Sequence, residues 1–123
     1  MQYTVIVNNQ SYDLPPKTLP VMEKIETVLI KDNSNIPIKE KYKAIHTFIA
    51  NIVGKDNAKE IFGTDNLNEM DLSEVTICFK KIIDAYDKPV ADYMCEKSTE
   101  AFNALPLDKI TDIVQVTKEL KND

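Results

Sequence analysis

Residues 71–105, DLSEVTICFKKIIDAYDKPVADYMCEKSTEAFNAL, decide the fold of this chain. Apolar residues recur at Leu72, Val75, Phe79, Ile82, Tyr86, Val90 and Tyr93, in steps of three or four that trace one face of a helix. Asp71 with Glu74 three residues on has capping-box spacing, with Asp in place of the usual Ser or Thr, so the start is well marked. Pro89 removes a backbone donor and crowds the preceding turn, at about 3 kcal/mol in a regular helix. The helix must therefore kink or break near Asp87 and Lys88. Because Tyr86, Val90 and Tyr93 keep phase across the proline, a kink is expected.

Upstream, Gln2 to Val7 is rich in β-branched residues, Asn8-Asn9 can supply a two-residue turn, and Gln10 to Leu14 would return as the second strand of a hairpin. That turn pairs Val7 with Gln10, Val5 with Tyr12 and Tyr3 with Leu14, a nearly all-apolar face turned toward the helices. Pro15-Pro16 stops the sheet. A first helix begins near Thr18 as N-cap, with Pro20 in its first turn and Val21, Met22, Ile25, Val28 and Leu29 as its buried stripe. A second opens at Pro37, carries Ile38, Tyr42, Ile45, Ile49 and Ile52, and ends at Gly54; a short third, about 56–62, is closed by Gly63.

Downstream of Tyr93 the stripe thins to Met94, Ala101 and Phe102 among charges. Pro106 restarts the chain as a last helix with Leu107, Ile110, Ile113, Val114 and Leu120 on its apolar side. The expected fold is mainly α: an N-terminal β-hairpin (1–14) packed on a bundle of about five helices (18–121), the longest kinked near Pro89. With 123 residues, one domain over 1–123 is the default.

Composition narrows the function classes. The net charge is -5, and all 15 basic residues are lysine. Arginine is the side chain best suited to bidentate phosphate and guanine contacts, so its absence argues against nucleic acid as a partner. Cys78 and Cys95, if on one continuous helix, are about 25 Å apart at about 1.5 Å rise per residue, too far for a disulfide. With no charged-then-apolar leader and no apolar run approaching a membrane span, no membrane partner is expected and a cytoplasmic protein is the simplest expectation.

Chemistry finds little to work with. His46 is the single histidine, on the flank of the second helix's stripe, and no nucleophile or carboxylate is singled out as its partner. One His and two separated Cys cannot furnish a zinc site. The segment from Asp65 to Asp71 has Leu67 and Met70 where a calcium loop needs an oxygen ligand and a glycine. Gly54 and Gly63, the two glycines, have capping roles and make no phosphate loop. The expectation is a protein without catalytic residues, cofactor or metal. The acidic series Asp84, Asp87, Asp92, Glu96 and Glu100 reads as a solvated helix face. Tyr93, Met94, Phe102 and Leu105 are the residue types of adaptable interfaces, and equally of a closing core.

The stretch IFGTDNLNEMDLSEVTICFKKIIDAYDKPVADY, residues 61–93, resembles small proteins from the tail modules of long-tailed bacteriophages and prophages of Gram-positive bacteria, the tail assembly chaperones. The resemblance covers the central half of the chain and is an overall pattern rather than a diagnostic motif. It implies a mostly helical, non-enzymatic host-cytoplasmic protein. Such a protein binds the long tape measure protein and keeps it soluble until tail tube protein polymerises around it. The family has no catalytic residues to carry over. Binding would set helix against groove through apolar anchors, and Val90, Tyr93, Met94 and Phe102 are the candidate partner-binding residues, because core demand should fall past the kink. Chaperones of this kind are often made in two lengths by ribosomal frameshifting, and Leu120-Lys121-Asn122 can be encoded by an adenine-rich slippery run.

Two other classes stay open: a structural or adaptor protein of the finished tail, using the hairpin edge for strand addition, and an acidic inhibitor or regulator of a host protein. Homo-oligomerisation is open as well.

Overall fold

The computed structural model describes the backbone of residues 1–104 and the side chains of residues 1–98. β1 (Tyr3–Val7) and β2 (Gln10–Leu14) form an antiparallel hairpin that pairs Tyr3 with Leu14, Val5 with Tyr12 and Val7 with Gln10, the expected register. Asn8 and Asn9 have φ of 54° and 65°, the left-handed pair that a tight hairpin turn matched to strand twist requires. Period-two alternation then sorts the side chains: Val5, Val7, Tyr12 and Leu14 are buried and Ile6 is exposed.

α1 (Leu19–Asp32) follows the proline pair. Thr18 has the extended backbone of an N-cap, but its side chain makes no capping hydrogen bond. The start is held instead by the Thr18 carbonyl, which accepts from the Met22 N–H at 3.0 Å, and by Pro20 in the first turn. α2 (Ile38–Val53) ends where the Gly54 N–H donates to the Ala50 carbonyl at 3.0 Å. Gly54, at φ 97°, also starts α3 (Lys55–Phe62), which Gly63 closes at φ 73°. A 3-10 turn (Leu67–Glu69) then leads to α4 (Leu72–Ala104). The Asp71 carboxylate caps α4 by accepting from the Ser73 N–H at 2.8 Å, one residue short of the Glu74 position that a capping box uses.

Packing divides the chain into Met1–Asp87 and a second unit that begins at Lys88. In the first, α2 is the element the others share: α1, α3, β2 and the 3-10 turn all pack on it. Ile49, Val75 and Ile82 are fully buried, and the rings of Phe48 and Phe79 meet edge to face at 5.5 Å, which locks α2 to α4. Each helix buries a slightly different arc from the expected one. Phe48 and Val53 are buried on α2 and Cys78 on α4, whereas Leu29 and Ile38, near helix ends, are exposed.

As the apolar phase kept across the proline implies, α4 is not broken at Pro89 but continues as one helix, although the proline denies the Ala85 carbonyl its usual amide donor. The boundary of the first packed unit nevertheless falls at Asp87, beside the proline. Four α-helices lie among the described residues; the last of the about five expected, 106–121, lies outside them.

Candidate functional site

Up to Tyr86 the apolar stripe of α4 is spent on the core: Val75, Cys78, Phe79, Ile82 and Tyr86 are all buried. Tyr86 closes this series with its hydroxyl on the Pro15 carbonyl at 2.8 Å and its ring 5.1 Å from that of Tyr3. Past Lys88 the same kind of residue stands in solvent. Val90, Tyr93 and Met94 are 57%, 55% and 59% exposed, and their spacing of three and four makes them neighbours on one helix surface. Three of the four expected partner-binding residues are therefore accessible together. Phe102 lies in α4, but its side chain is outside the described residues.

The surroundings are charged and self-paired. Lys88 Nζ donates to Asp92 Oδ2 at 2.8 Å, and this bond raises the lysine's pKa. Lys97 Nζ sits 5.6 Å from the centre of the Tyr93 ring, a cation over an aromatic face. The sequence reading did not single out Lys97, although the four-residue step from Tyr93 was the available signal. Asp84, Asp87, Asp92 and Glu96 are exposed, as a solvated face requires, and Lys17 approaches Asp87 at 3.9 Å.

The remaining candidates lie apart from this face. His46 is half-buried on α2, its ring 6.0 Å from that of Phe62. Burial lowers its pKa, partly opposed by Asp65. It lines a hollow of about 460 Å³ together with Thr47, Asp65, Asp56, Lys55 and Lys59, and among the described residues no hydrogen bond joins the imidazole to any of them. Cys78 is buried, and desolvation pushes its thiol up to about 11, so it stays protonated near neutrality. Among the described residues no three His, Cys, Asp or Glu side chains converge as metal ligands.

The polar segment before α4 is occupied with its own geometry. The Asn66 side chain accepts from the Asn68 N–H at 3.0 Å, and Thr64 Oγ1 accepts from the Asn66 N–H at 3.1 Å. A hollow of about 770 Å³ lies between α1 and α2 and is rimmed by Glu23, Lys24, Lys31, Glu40 and Lys43. It contains none of the expected partner-binding residues. No described helix is long and apolar enough to cross a membrane. No family model, curated protein or solved structure matches the chain.

Proposed function

We propose that this protein is a binding protein of the phage tail assembly chaperone type, whose α4 holds an apolar helical segment of the tape measure protein through Val90, Tyr93 and Met94. One observation carries the reading: the apolar period that builds the core up to Tyr86 continues past it as three adjacent, more than half-exposed side chains. A contiguous apolar surface is costly to leave in water, whereas a lone exposed apolar residue is not. Anchors at three- and four-residue spacing are what an amphipathic helix uses to dock. Met and Tyr suit the task because a flexible thioether and an amphipathic ring adapt to varied partners.

Co-expression tests this. The longest protein encoded downstream in the same gene cluster should be insoluble alone and soluble with this chain. Failure to solubilise it, with the chain itself folded, would reject the chaperone reading. A chaperone should also be absent from purified virions, which separates it from a tail component that stays in the particle.

A further inference from the structure

We draw no further inference here: the strongest candidate, the exposed apolar face of Val90, Tyr93 and Met94 on α4, belongs to the site already described, and since Lys88, Asp92, Glu96 and Lys97 around it sum to no net charge, nothing in the structure shows what covers it.

Discussion

The hydroxyl of Tyr86 donates to the carbonyl of Pro15 at 2.8 Å, joining two residues 71 positions apart. Pro15 follows the hairpin and Tyr86 is the last buried residue among those of α4 whose side chains are described, so this one bond ties the exit of the sheet to the end of the described core. Tyr86→Phe keeps the ring and leaves the carbonyl without this donor. A loss of about 1 kcal/mol is expected, read as a lower urea midpoint at unchanged slope.

The same phenol predicts behaviour in alkali. Burial pushes the Tyr86 pKa from 10.0 up to about 12, so the folded state holds this proton more tightly than the unfolded chain. Its contribution is complete below pH 10 and is lost as pH rises from 10 to about 12. Spectrophotometric titration should show late ionisation from Tyr86 and, raised in the same direction by desolvation and Glu60, from Tyr12, and Tyr86→Phe should remove the Tyr86 component.

His46 works at the other end of the scale. Burial depresses its pKa below 6.5, so the unfolded state binds this proton more readily. Its contribution is present above pH 6.5 and declines as pH falls through the lowered folded value. Since His46 is the only histidine, its imidazole NMR signals report the midpoint directly. A midpoint at or above 6.5 would contradict the burial argument.

The two turn asparagines should respond differently to glycine. Both are left-handed, a conformation glycine adopts without penalty. The Asn8 side chain also donates to the Ile61 carbonyl at 3.2 Å, holding the hairpin on the end of α3. Asn9→Gly should be neutral or stabilising by a few tenths of a kcal/mol, and Asn8→Gly should lose about 1 kcal/mol. Thermal melts of the two variants provide the comparison.

The cysteines should separate by accessibility. Cys95 is exposed, whereas Cys78 is 1% exposed with its thiol raised to about 11. A thiol reagent at neutral pH should label one site per chain rapidly and the second at the rate of unfolding. Mass spectrometry assigns the sites.

Core and candidate face should part in the same manner under alanine substitution. Ile82→Ala, at a fully buried position, should cost about 2–5 kcal/mol. Val90→Ala and Met94→Ala should each stay within about 0.5 kcal/mol. If the face binds the tape measure protein, the double variant keeps its melting temperature and loses solubilisation in co-expression. Unchanged solubilisation would remove these residues from the site.

Local chemistry is legible in the sequence itself. The Asn8-Asn9 turn, the strand register, the helix ends at Gly54 and Gly63 and the Asp71 start of α4 depend on residues within a few positions of one another. Steric preference and hydrogen bonding over that distance are properties of the chain itself. The long apolar stripe of α4 was equally plain, but periodicity could not say how far along it the core extends.

That limit was decided by tertiary packing. Val75 and Val90 are the same residue type on the same stripe, yet one is fully buried and the other 57% exposed. The difference is that Val75 lies in the packed unit that ends at Asp87, where the hairpin meets α4 through Pro15 and Tyr3 on Tyr86 and α2 meets it through Phe48 on Phe79, whereas Val90 belongs to the unit that begins at Lys88. Sequence alone determined the elements and their apolar faces, because those follow from local sterics and period. Only the tertiary structure decided which part of the α4 face is covered, because burial depends on neighbours brought in from distant parts of the chain.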